Sequence, residues 1–173
     1  MHKLFALLLL LFWFSVDTAS AQSLRFVTDN AAPIELKAGD MVWQRETGHA
    51  VLSDAARFAQ GPLSLSAARI DLSFAPDGTA QTMTAEGDVV LVSRDKTGTR
   101  RAEAARAELD LTADKLVLLG NVSVTQMGSP SSDNNNTADA AGLMGGELTL
   151  DMVSGRAILK GGGDKPRARI ELR

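Results

Sequence analysis

The sequence predicts a repetitive all-β protein, an antiparallel body of short strands and tight turns. Three observations carry this. Arg69-Ile70-Asp71-Leu72, Glu108-Leu109-Asp110-Leu111 and Glu147-Leu148-Thr149-Leu150 each alternate polar with apolar residues, and Ile70, Leu109 and Leu148 recur at one equal interval. Such period-2 alternation belongs to a strand with one apolar and one wetted face. Glycine-opened runs, Gly87 to Val92 and Gly120 to Thr125, precede the second and third of these segments. Turn signals recur at the short, regular spacing that many antiparallel strands require. Recurrence at a fixed interval means one supersecondary unit stacked along an elongated body, whose function should lie on a long apolar surface.

Taken in order, the chain opens with an export signal. Met1-His2-Lys3 is a short positive start, Leu4 to Phe14 is an unbroken apolar run, and Ala19-Ser20-Ala21 offers the small residues a signal peptidase accepts. The run falls short of the roughly 20 residues a spanning helix needs, so residues 1–21 read as a cleaved signal peptide. The alternative is a retained N-terminal anchor. No cysteine follows, so a lipidated N-terminus is not supported. Residues 22–173 suit a single domain.

Pro33 to Gly39 reads as a first strand, started by proline and ended by glycine. Met41-Val42-Trp43 and Ala50-Val51-Leu52 read as a hairpin around Glu46-Thr47-Gly48-His49. Pro62 to Phe74 is a long strand and Pro76-Asp77-Gly78 a strong turn. Thr82 to Ser93, Arg100 to Leu111, Leu116 to Thr125, Gly142 to Met152, Ala157 to Leu159 and Ala168 to Leu172 complete the set. Two stretches pull the other way. Arg100 to Leu109 is rich in the best helix formers, but the repeat places it in the slot of Ile70-Asp71-Leu72 and favours strand. Ser53 to Gln60 has the same ambiguity with less repeat support. Ser129 to Gly142, rich in Ser, Asn and Asp, reads as a mobile hairpin tip, with nothing apolar to offset the entropy of ordering it.

Material for chemistry is scarce. The chain has no cysteine or tyrosine, and His49 is the one histidine beyond the signal segment. A cysteine nucleophile and a multi-histidine metal site are therefore excluded. No serine lies in a Gly-x-Ser-x-Gly elbow. Gly161-Gly162-Gly163-Asp164-Lys165 lacks the spacing and the Ser/Thr of a phosphate loop. The Asp/Asn run near residue 134 lacks the bidentate Glu of an EF-hand. A net charge of −3, with no basic cluster, argues against nucleic acid. The expectation is a non-enzyme without metal or cofactor, in a binding or structural role. An ordinary packed core and a lipid-holding roll would use the same apolar residues.

The chain resembles the LptA-type lipopolysaccharide-transport proteins, built on the OstA-like domain. Pro33-Ile34-Glu35-Leu36 after a signal peptide looks like that family's first strand. Leu109-Asp110-Leu111-Thr112-Ala113-Asp114-Lys115-Leu116, continuing to Gly120-Asn121-Val122 and the next strand, looks like its most distinctive stretch. Gly145-Gly146-Glu147-Leu148-Thr149-Leu150-Asp151 with Gly155-Arg156-Ala157 is similar to the succeeding unit. Where the family's first unit carries a Gly-Asn-Val-type step, this chain reads Asp54-Ala55-Ala56-Arg57-Phe58-Ala59-Gln60-Gly61-Pro62, and the Asn-rich segment looks like an insertion.

The resemblance implies an antiparallel β jelly roll, V-shaped and open-ended, working in the periplasm of a Gram-negative bacterium. It implies a groove that shields the acyl chains of lipid A. Carried over by position and repeat, Ile34, Leu36, Ile70, Leu72, Leu109, Leu111, Leu148 and Leu150 would face that groove. The implied partners are lipopolysaccharide, an LptC-like inner-membrane protein, an LptD-like outer-membrane translocon, and further copies joined head to tail. Ile34 to Ala38 and Ala168 to Leu172 would lie near the joining ends. The alternatives are an anchored LptC-like component of the same pathway, a structural β-protein with a dry core and, least, a hydrolase.

Overall fold

The computed structural model describes residues 24–96, 98–128, 141–161 and 167–170. Residues 1–21, expected to be a signal peptide, the Asn-rich stretch 129–140 and most of the Gly161-to-Lys165 run lie outside the described residues. Among the described residues ten strands follow one another: β1 Ile34–Lys37, β2 Asp40–Gln44, β3 His49–Gln60, β4 Leu63–Phe74, β5 Ala80–Asp95, β6 Gly98–Asp110, β7 Lys115–Gly128, β8 Ala141–Asp151, β9 Ala157–Lys160 and β10 Arg167–Ile170. They form one antiparallel sheet in which β3 to β8 pair in sequence order. Its first edge holds β1 against Arg57–Gln60 and β2 against His49–Ser53, both on β3. Its last edge holds β9 against Glu147–Leu150 and β10 against Ala141–Met144, both on β8. Each edge is thus one strand's worth of chain, broken midway.

The break continues through the whole sheet. Asp54 and Ala55 on β3, Gly87 and Asp88 on β5, and Gly120 and Asn121 on β7 all have positive φ, and each pair sits where the register shifts. Opposite these steps stand Ala67-Ala68 on β4, Ala104-Ala105 on β6 and Gly145-Gly146 on β8. Small residues are needed there because the chains approach closely. A Cβ on Gly87 would lie 2.8 Å from that of Ala68, and one on Gly120 would lie 3.0 Å from that of Ala105. A two-residue bulge bends its strand sharply, and a row of them makes a crease across every strand.

The crease explains the core. Among the described residues there is no helix to cover the sheet. Yet Leu52, Ile70, Leu118 and Leu148 above the crease, and Phe58, Leu65, Leu91 and Val124 below it, are all buried in one cluster. A single sheet can bury one face over both halves of its strands only by folding those halves against each other. The result is a roll of two leaves, the β jelly roll the resemblance implied.

Arg100 to Leu109 is a strand despite its helix-forming composition. Ala102, Ala107 and Leu109 point inward, while Arg101, Glu103, Arg106 and Glu108 pair on the outer face. Flanking strands supply ladders on both sides, so tertiary pairing overrides a propensity worth only tenths of a kcal/mol per residue. The ambiguous Ser53 to Gln60 is likewise strand, continuous with the hairpin arm before it through the left-handed step at Asp54-Ala55. That step is the chain's counterpart of the Gly-Asn-Val sequence missing from its first unit.

Ile70, Leu109 and Leu148 are equally spaced in sequence, but Leu109 lies one row away from the row that Ile70 and Leu148 share, which corrects the repeat read from their interval. The register aligns Leu52, Ile70, Ala85, Ala107, Leu118 and Leu148, and it aligns Leu72, Met83, Leu109, Leu116 and Leu150 one row nearer the strand ends. The structural period is a shorter one, carried by the equally spaced Leu52, Ala85 and Leu118 on β3, β5 and β7. The inward parity of Ile70, Leu109 and Leu148 is nonetheless as the alternation requires.

Candidate functional site

The candidate site is the inner face of the roll. Ile70 and Leu72 on β4, Leu109 on β6, and Leu148 and Leu150 on β8 are all buried there. Leu111, just past β6, and Leu36 on β1 are half-buried against the same cluster. Ile34 pairs with Gln60 as Leu36 pairs with Phe58. Residues directly opposite in an antiparallel pair share a face, so Ile34 belongs to the inner face too, but at the open edge it is 36% exposed. The structure thus brings the eight sequence-derived residues onto one surface.

Sequence reasoning missed most of the lower leaf. Phe58, Leu63, Leu65, Leu91 and Val124 face inward beyond the crease. The bend resets the alternation on β4, where Leu63, Leu65 and Ala67 are buried below it and Ile70 and Leu72 above. A reader following strict period 2 therefore loses the face halfway along. Val89 to Val92 compounds the difficulty, since both of its faces are apolar; Val89 and Leu91 point in, while Val90 and Val92 are half-buried outside. The one available signal was the repeated small pair, Ala67-Ala68, Gly87-Asp88, Ala104-Ala105 and Gly120-Asn121.

The interior contains almost nothing polar. Among the described residues the buried polar side chains are Gln60 and Ser93, and no buried side-chain polar atom lacks a partner. Charge is confined outside. Arg69 with Asp71, Arg106 with Glu86 and Glu108, and Lys160 with Glu147 pair across the outer face. Such exposed pairs contribute about 0–1 kcal/mol each and serve mainly to keep that face wet. At the upper rim, Asp110 accepts bonds from the Thr112 hydroxyl and from the Thr112 and Ala113 amides, and Asp151 accepts from the Val153 and Ser154 amides. Both carboxyls are held below their ordinary range, Asp110 chiefly by the Thr112 hydroxyl and Asp151 chiefly by the Ser154 amide. These aspartates cap turns. Among the described residues no three His, Asp or Glu side chains converge on a common point. What the arrangement offers is an apolar strip, running along the stack of strands and walled by a polar exterior.

The two leaves meet along a mouth opposite the crease. The N-terminal segment Leu24–Ala32 lies along it. Phe26 donates its amide to the Gly155 carbonyl on the upper rim at 2.8 Å, and Val27 donates to the Ser93 hydroxyl on the lower rim at 2.9 Å. Adjacent residues thus touch both rims. The inner face is shut, and its leucines pack on one another.

Comparison with known proteins agrees with this geometry. The profile of the family described as LptA/(LptD N-terminal domain) LPS transport protein matches residues 35–161. No curated protein matches the sequence. Among solved structures the chain is similar to LptH of Pseudomonas aeruginosa, described as the LptA homologous periplasmic component of the conserved lipopolysaccharide transport device. The identity is 17% and the TM-score 0.64, over 85% of this chain and 99% of that one. At such identity the likeness speaks for the fold. The profile match spans well over half of the sequence, and the chain belongs to the LptA/(LptD N-terminal domain) family of lipopolysaccharide-transport proteins.

Proposed function

We propose that residues 22–173, exported behind a cleaved signal at 1–21, act as a non-enzymatic periplasmic carrier that shelters the acyl chains of lipid A between the two leaves. The observation that carries this reading is the unbroken apolar inner face, repeated row by row from β3 to β8 on the family's fold. Ile34, Leu36, Ile70, Leu72, Leu109, Leu111, Leu148 and Leu150 would line the lipid's path. Each methylene moved from water to such a face is worth about 0.8 kcal/mol, so a lipid with several acyl chains has a large incentive to part leaves that otherwise cover each other. The saccharide would remain outside the mouth.

The edges support the rest of the proposal. Unpaired strand edges are ordinarily a liability, and they accept a strand from another chain. Here β1 and β2 end the sheet on one side, β9 and β10 on the other, and Met41, Val42 and Trp43 on β2 are exposed. Copies joined head to tail through these edges would align their inner faces into one track, from an LptC-like inner-membrane protein to an LptD-like translocon.

Photocrosslinking in living cells tests the reading. A photoreactive residue at Leu109, which faces inward, should label lipopolysaccharide, and one at Glu108, which faces out, should not. Equal labelling from both would overturn the inner-face route. Labelling from neither would indicate a structural β-protein with a dry core.

A further inference from the structure

The segment Leu24–Ala32 does more than connect. It is a strap with contacts to both leaves. On the upper rim, Ala157 donates its amide to the Leu24 carbonyl at 2.9 Å, completing with the Phe26 amide a two-bond bridge between Arg25 and Arg156. On the lower rim, the Ser93 hydroxyl accepts from the Val27 amide and donates to the Val27 carbonyl, both at 2.9 Å. Gln60 donates its side-chain amide to the carbonyls of Asn30 and Ala32. Asn30 spans the mouth alone: its carbonyl meets Gln60 below, and its side chain donates to Asp114 above.

Three details mark the strap's seat as built for it. The two buried polar side chains among the described residues, Gln60 and Ser93, both spend their bonds on the strap. A glycine stands on each rim where the strap passes, both at positive φ. A Cβ on Gly155 would collide with the Phe26 carbonyl oxygen, and one on Gly61 would lie 2.8 Å from Asp29. Finally, Phe26 is 2% exposed within the apolar cluster, although its backbone lies at the mouth. Phe26 therefore fills apolar space between the leaves, as a hydrocarbon chain would.

We infer that Leu24–Ala32 is a displaceable strap, with Phe26 as its plug, and that lipid enters the roll by lifting it from the mouth. The inference rests on the proposed lipid-carrier function and adds a gate to it. The strap holds its seat by hydrogen bonds, the buried Phe26 and the partly buried Leu24 rather than by a full strand ladder, so it can leave without unravelling β3 to β8. A closed mouth means that only the opened fraction of molecules is competent to bind, and apparent affinity falls by that fraction.

A reversible lock tests this. Arg25 and Arg156 are both exposed and form the non-hydrogen-bonded pair of their bridge. Such pairs stand about 4.5 Å apart at Cα, within the roughly 4.4–6.8 Å a disulfide spans. The protein has no other cysteine, so Arg25→Cys with Arg156→Cys places one disulfide beside the plug. Purified lipopolysaccharide is the probe. The oxidised variant should take it up about tenfold more slowly than the same variant after reduction, and binding to the wild type should release the Phe26 and Ala157 amides to hydrogen exchange. A second variant, Ser93→Ala with Gln60→Ala, unlatches the lower rim and should take up lipid faster than wild type. If oxidised and reduced forms bind at one rate while Phe26 stays protected, the strap is no gate and the carrier function stands. If no form binds lipopolysaccharide, the carrier function falls and the gate with it.

Discussion

The crease should reveal itself in the energetics of one substitution, Gly87→Ala. Gly87 has φ +79°, in the left-handed region where an L-residue costs about 1–2 kcal/mol. The new Cβ would sit 2.8 Å from the Ala68 Cβ, against a comfortable carbon–carbon separation of about 3.5–4.0 Å. Relieving that overlap by small backbone shifts costs about 1 kcal/mol more. Alanine's smaller entropy in the unfolded chain returns about 0.4–1 kcal/mol. The balance is a loss of about 2 kcal/mol, read as a lower urea midpoint at unchanged slope by far-UV circular dichroism. Adding Ala68→Gly removes the overlap but not the left-handed strain, so about 1 kcal/mol should return as a coupling in the double-mutant cycle. Ala55→Gly should act with the opposite sign. Ala55, at φ 58°, occupies the matching step on β3, and glycine there should raise stability by about 0.5–1 kcal/mol. A Gly87→Ala protein within about 0.5 kcal/mol of wild type, or a cycle with no coupling, would refute the crease as a close-packed, left-handed step.

Other tests probe the leaf contacts, the rim and the edge. Leu118→Ala removes a 1%-exposed side chain from the middle row and should cost about 2–5 kcal/mol in urea unfolding; a loss below about 1 kcal/mol would mean the leaves do not pack there. Asp110 is held below its ordinary range, first by the Thr112 hydroxyl. Its stabilising contribution is therefore present above the unfolded-state pKa of about 4 and is lost as pH falls through the folded value. Asp110→Asn should unfold more easily than wild type at pH 7, with the two urea curves converging as pH drops below about 4; a gap that persists in acid would refute the charge-assisted cap. Trp43 is the one tryptophan of residues 22–173, 53% exposed and stacked on Phe74 at 4.7 Å. Its emission should move to shorter wavelength as copies join through the β2 edge at rising concentration. Emission that stays fixed while sedimentation shows oligomers would place the joint elsewhere.

Much of the protein is legible in its sequence, because strand alternation and turn chemistry are local. Ile70-Asp71-Leu72, Leu109-Asp110-Leu111 and Leu148-Thr149-Leu150 display their buried face directly in the order of residues, and Pro76-Asp77-Gly78 announces its turn. The Leu-Asp-Leu to Gly-Asn-Val stretch points to the family without coordinates. The equal interval between Ile70, Leu109 and Leu148 misled for a local reason. Asp110 and Asp151 cap corresponding turns at nearly the same separation, so similar turn chemistry mimics a repeat that the register does not share.

What only the tertiary structure decided is how the two halves of each strand meet. Whether Arg100 to Leu109 is helix or strand depends on ladders from β5 and β7, partners distant in sequence. Whether Asp54-Ala55 can replace a glycine step depends on the strain its neighbours hold in place. That Phe26 belongs to the core follows from rims brought together by folding across the crease: Gly155, in the turn between β8 and β9, and Ser93, on β5, lie far apart in sequence on segments that do not pair, yet touch consecutive residues of the strap. Local patterns fix which face of a strand is apolar. What that face rests against is a long-range fact, set by the bend in every strand at once.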